Sequence, residues 1–274
     1  MDGIASFLNT IFDIMFGYVG GIAESAMVSF TGNNYTDIWN FCVSAANNVI
    51  EPIAVMIVLT FFLLGMLEKA SSEQLTLEHV LRDVIKFCLG LYLVTNSVEI
   101  VVGCIELGNG ILNSIGELNL GAATQGHIFS EQILEKNGFF AGILLALVAI
   151  IFMFINMIIL VIMKCVCIIR ILEIAIRTSM SPLALADTFA GPLLNSHAIN
   201  FIRSFAALAI QGAFIMIIAE TVPLLWKGAL DAGALSDFTS ILGFFLEALV
   251  FSIAALILMF KSGSIAKEML GARG

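Results

Sequence analysis

Three carboxylates and two amides interrupt stretches built almost wholly from Leu, Ile, Val, Phe and Ala. Glu99, Glu220 and Glu247 lie within or near such stretches, and Asn156 and Gln211 lie inside them. A charged side chain at the middle of a bilayer costs about 2.5–3.5 kcal/mol on insertion scales, so each acid must face water, a partner or another subunit. One reading makes the acids the lining of a wet pore or of a proton or ion path. The other leaves Glu99 and Glu220 solvated beside the outer headgroups, since Glu220 is close to Pro223 and Lys227. Glu247 is deeper, and either reading serves it. For Asn156 and Gln211 the plainer account is hydrogen bonding between helices, with path lining as the alternative. A second group is basic: Lys164, Arg170, Arg177 and Arg203. Together they would form a cytoplasmic collar around a conduit for negatively charged cargo. Taken singly they would anchor the chain by the positive-inside rule and touch lipid headgroups. Glu173 and Arg177 are four residues apart, a spacing that pairs charges on a helix.

Nothing in the sequence points to catalysis. Phosphate-binding glycine loops, H-E-x-x-H, G-x-S-x-G and Ser–His–Asp patterns are all missing. His79, His127 and His197 are scattered, and Cys42, Cys88, Cys104, Cys165 and Cys167 contain no C-x-x-C. The cysteines read as inert thiols in apolar surroundings, not as metal ligands. The chain is expected to be no enzyme and to hold no cofactor beyond bound lipid. Asn34-Tyr35-Thr36 matches a glycosylation sequon, a pattern common by chance.

The elements that position these residues must be membrane helices. Of 274 residues 60% are hydrophobic and only 12% are charged, half the roughly 25% of a typical soluble domain. Net charge is −9, which disfavours non-specific nucleic-acid binding over the whole surface. Residues 1–34 read as an extracytoplasmic amphipathic helix, lying at the interface or on a neighbouring subunit. Its apolar positions, Ile4, Phe7, Leu8, Ile11, Met15, Tyr18, Val19 and Ile22, recur at helical spacing. Asp2 and Asp13 stand where a signal peptide would be basic, and Asp2 stands where myristoylation needs glycine. Residues 35–274 read as an all-α polytopic domain with about five spans, near 49–67, 84–105, 139–163, 201–225 and 238–260. Residues 107–137 read as a Gly- and Asn-rich loop. The third span has no proline between Phe139 and Thr178. Unbroken, it would be about 60 Å long, twice the hydrocarbon core. It is therefore expected to run on to 178, beyond the bilayer, until Ser181-Pro182 stops it.

Charge sets the orientation. Lys69, Arg82, Lys86, Lys164, Arg170, Arg177, Arg203, Lys261, Lys267 and Arg273 fall on one side of this span pattern, and only Lys136 and Lys227 on the other. The positive-inside rule then places the N-terminus outside and the C-terminus in the cytoplasm.

A long third helix ending in basic residues, followed by Ser181-Pro182-Leu183-Ala184-Leu185-Ala186, resembles the TrbL/VirB-type polytopic inner-membrane subunit of type IV secretion systems, which move DNA or protein between cells in conjugation. The resemblance covers most of the chain; many relatives are longer and carry a large hydrophilic domain, and this chain reads as a compact version. It implies a channel or scaffold subunit of the bacterial cytoplasmic membrane, oligomerising around a translocation path. Its implied partners are further copies of itself, pilin-like and other secretion subunits, cytoplasmic ATPases, membrane lipid, and DNA or protein as cargo. A small-solute or ion transporter using Glu99 and Glu247, and a holin-like pore former, are the alternatives. No inverted repeat supports the first, and five ordered spans exceed what the second needs.

Overall fold

The computed structural model describes residues 2–26, 35–71, 76–117, 139–186, 197–232 and 238–272. The sequon residue Asn34 and Lys136, in the stretch read as a loop, lie outside the described residues.

The elements in chain order are α1 (Asp2–Ser25), α2 (Thr36–Ala45), one π-helical turn (Ala46–Ile50), α3 (Glu51–Ser71), α4 (Leu77–Thr95), α5 (Ser97–Gly116), α6 (Phe139–Ser179), α7 (Ser181–Leu185), α8 (His197–Ala232) and α9 (Phe238–Met269). No strand occurs among the described residues. Helices satisfy their own backbone groups, which hydrocarbon cannot do for them. Five helical stretches are long and apolar enough to cross a membrane: Thr36–Ser71, Ser97–Gly116, Gly142–Ser179, His197–Gly228 and Thr239–Met269.

Three local features have identifiable causes. The stretch expected as a span at 84–105 is cut at Asn96, which leaves the helical region (φ −104°, ψ 19°). There the Asn96 amide donates to the Tyr92 carbonyl (2.9 Å) and the Thr95 hydroxyl to the Leu91 carbonyl (3.0 Å). These side-chain bonds add to the last turn of α4, where the Asn96 N–H still reaches the Tyr92 carbonyl (3.1 Å), and such local bonding lets the backbone turn at Asn96. The candidate span moves on to Ser97–Gly116, so residues 107–116 are helix, not loop. Val101, Ile105 and Leu112 are all buried, and tertiary burial outweighs the low helix propensity of the Gly and Asn residues between them. The π turn precedes Pro52, which has no N–H and whose ring crowds the carbonyl four residues back. The helix widens there, and the Glu51 N–H reaches the Ala46 carbonyl five residues back. Helix α6 is unbroken over 41 residues. It ends where Thr178, Ser179 and Ser181 turn their hydroxyls onto the carbonyls of Ile174, Ile176 and Thr178.

The chain divides into two compact units, Met1–Met27, Ile111–Ile169 and Gln211–Gly263 in the first, and Val28–Gly110, Arg170–Ile210 and Ser264–Gly274 in the second. In the first, α1 packs through its apolar face. Its stripe of Ile11, Met15, Val19, Ile22 and Ala26 joins a core with Leu145 and Phe152 of α6, Ile215 and Trp226 of α8, and Phe244 and Phe245 of α9. Phe152 and Phe245 meet at a centroid distance of 4.9 Å. The fully buried Trp226 donates from Nε1 to the Ala248 carbonyl at 3.2 Å. The second unit has two clusters. Val101, Ile105, Ile171, Ile174, Phe205 and Leu208 form one, with Tyr35 and Trp39 against it. Ala54, Val58, Val94, Leu185, Ala186 and Ala198 form the other.

Candidate functional site

The basic residues of α6 do not behave alike. Arg170 is buried and donates from Nε to the Leu208 carbonyl at 3.0 Å and from Nη2 to the Ala209 carbonyl at 2.9 Å. Two turns further along the same face, Arg177 donates to the Ser204 hydroxyl at 2.8 Å and pairs with Glu173. The two arginines therefore grip α8 at 204 and at 208–209. A main-chain carbonyl has two lone pairs, so the carbonyls of Leu208 and Ala209 can accept the guanidinium without giving up their helical bonds. Lys164 and Arg203 are exposed, and neither is ion-paired among the described residues. Of the four residues expected as a collar, two are thus tied into helix packing and two are open.

A glycine that sequence reasoning passed over lies beside this grip. A Cβ on Gly108 of α5 would sit 2.7 Å from the Ala209 carbonyl oxygen. Only the absence of a side chain lets α5 and α8 approach so closely. The closeness of its partner, a hundred residues on, leaves no local signal.

In the first unit, Gln211 donates to the Ser262 hydroxyl at 3.1 Å, and Ser262 donates to the Met259 carbonyl at 2.6 Å. This joins α8 to α9. Asn156 is fully buried. Its Nδ2 donates to the Phe152 carbonyl at 3.1 Å, and its Oδ1 has no hydrogen-bond partner among the described residues. Glu247 is exposed on α9 between Leu246 and Val250, each 60% exposed. Glu220 is half-buried on α8, and Glu99 is exposed in the first turn of α5, where a carboxylate suits the helix dipole. None of the three acids has a hydrogen bond or ion pair among the described residues.

The Ser181–Ala186 segment is a packing element. Ser181, Pro182, Leu185 and Ala186 are buried, Ala184 is half-buried and Leu183 is exposed. Pro182 sits in the first turn of α7, where its missing N–H is harmless. Leu185 and Ala186 pack with Ala54 and Val58 of α3 and Val94 of α4. Lys69 of α3 and Asp83 of α4 form an ion pair that sequence reasoning also missed. Opposite charges fourteen residues apart carried no periodic signal there. No cluster of metal-ligating residues occurs among the described residues.

A comparison with protein families matches residues 18–182, more than half the chain, to the family described as TrbL/VirB6 plasmid conjugal transfer like protein. The match takes in the last third of α1, all of α2 to α6, and the opening Ser181-Pro182 of α7. Comparisons with curated proteins and with solved structures found no match. The multi-pass membrane architecture and the family match lead to one conclusion: the chain belongs to the TrbL/VirB6-like family of conjugal transfer proteins, subunits of type IV secretion systems.

Proposed function

We propose that the protein is a non-enzymatic channel or scaffold subunit that oligomerises in the bacterial cytoplasmic membrane around a path for DNA or protein. The observation that carries this reading is Glu247. It is exposed on an apolar helix beside Leu246 and Val250, and a carboxylate there cannot face lipid cheaply. A second copy or a wet path resolves the conflict. Burial supports the same view. Half of the most apolar stretch of α8 is buried within the chain, but only 11% of that of Thr36–Ser71. Lipid or neighbouring subunits must cover the remainder.

In this reading the N-terminus is outside and the C-terminus cytoplasmic. The outer end meets pilin-like subunits. Lys164 and Arg203 face the cytoplasmic ATPases or the cargo, and those ATPases supply the energy. The test is purification in mild detergent, mass determination and single-particle imaging. A symmetric ring with Glu247 at a subunit contact or on the axis is expected. A stable monomer with a closed polar cavity at the midplane would overturn the reading in favour of a small-solute transporter.

A further inference from the structure

The last turns of α3 and the facing part of α4 line a half-open cavity of about 310 Å³. Its walls divide by chemistry. Phe61, Phe62 and Leu64 supply an apolar side, and Glu68, Lys69, Asp83 and Lys86 supply a charged side. Phe62 and Phe87 meet at a centroid distance of 4.8 Å, which ties the two helices together at this level. The change from apolar to charged follows the sequence of α3, whose hydrophobic run ends at Leu67. In a membrane-spanning helix that is the depth of the headgroups.

The charges on the cavity are not equivalent. Lys69 and Asp83 pair with each other, and Asp83 is buried in doing so. The side chains of Glu68 and Lys86 have no hydrogen bond or ion pair among the described residues. One open carboxylate and one open ammonium beside an apolar wall match a ligand with three parts: a phosphate, an amine and a hydrocarbon tail. The lining carries two acids and two bases, so it offers no net attraction to a purely anionic group. The volume is at the small end for ligand sites, roughly 300–1,000 Å³. That suits a headgroup and the start of a chain better than a whole lipid.

We propose that this cavity binds the headgroup of a zwitterionic amino-phospholipid. Lys86 takes the phosphate, Glu68 takes the primary ammonium, and the first part of an acyl chain lies on Phe61, Phe62 and Leu64. The Lys69–Asp83 pair holds α3 and α4 at the spacing the headgroup needs.

The test is native mass spectrometry of the full chain, extracted from membranes containing equal phosphatidylethanolamine and phosphatidylglycerol. The wild-type protein is expected to retain the amine lipid about fivefold over the glycerol lipid, the scale of one exposed charged contact. Lys86→Met should lower retention of both lipids. Glu68→Gln should bring their ratio close to one, and it serves alone if the lysine variant does not fold. Equal retention of the two lipids by the wild type would overturn the proposal, as would an unchanged ratio in Glu68→Gln. Soluble phosphoethanolamine, which shares the polar chemistry but has no tail, should fail to displace the lipid. Displacement would assign the site to a free amino-phosphate and overturn the lipid assignment.

Discussion

Replacing Arg170 by alanine removes a buried cation and its two hydrogen bonds to the carbonyls of Leu208 and Ala209. The expected loss is about 2–4 kcal/mol, the range for breaking a buried polar network. Arg170→Lys should fall between, because an ammonium keeps the charge but not the planar fork. Thermal melting of the detergent-purified protein, followed by size-exclusion elution, measures both, and an Arg170→Ala midpoint equal to wild type would contradict the grip. Asn156 gives the opposite sign. Its Oδ1 is buried without a partner among the described residues, and an unmet buried acceptor costs about 1–3 kcal/mol. Asn156→Leu should therefore melt no lower than wild type in the solubilised chain. A clear drop in the melting midpoint would mean that the chain itself depends on the amide. Residue types were readable at this scale, but partners were not. A glutamine at 211 in an apolar helix announces a hydrogen bond, yet Ser262 is 51 residues away, and no local pattern names it. Arg170 and Lys164 looked equivalent because charge and spacing are the same signal whether a side chain turns inward or outward.

Helix contacts make their own predictions. Gly108→Ala should destabilise, although alanine returns about 1 kcal/mol of helix propensity. Its Cβ would meet the Ala209 carbonyl oxygen at 2.7 Å, and relieving such overpacking costs about 1–3 kcal/mol. Gly110→Ala is the control, since a Cβ there has nothing within 4 Å, and its melting midpoint should hold or rise. If the two variants melt alike, the close approach of α5 and α8 carries no weight. Long apolar runs made most helices legible. The 41-residue α6 could be read directly, because no proline or glycine interrupts it after Gly142. The break at Asn96 was not legible, because Val94, Val98 and Ile100 keep the run apolar through it. The Asn and Thr side chains that divert the backbone there are common inside helices as well. Glycines misled in the other direction at 107–116, where burial of Leu112 overrides composition.

For the whole molecule, orientation follows from where lysine and arginine fall, and it can be measured. A fluorescent protein fused after Ala272 should fold and fluoresce, and a phosphatase that works only outside the cytoplasm should be inactive at the same position. The reverse pattern would place the basic segments outside and remove the basis for contact with cytoplasmic ATPases. Composition and hydropathy made the membrane class legible, since 12% charged residues cannot clothe a soluble surface. The division into two units was not legible. Helices α5, α6, α8 and α9 each contribute residues to both, so no linker or change of composition marks the boundary. One feature of this architecture bears on how its relatives can vary in length. The widened turn at Ala46–Ile50 holds a surplus residue. Deleting Asn48 would let the α-helical ladder close with the residues on either side nearly in phase, because the wide turn takes up one extra residue at a smaller twist per residue. Tyr35 and Trp39 would then keep their contacts with the Val101–Phe205 cluster. The segment therefore acts as a slack turn, able to lose one residue while the face that α2 presents stays the same.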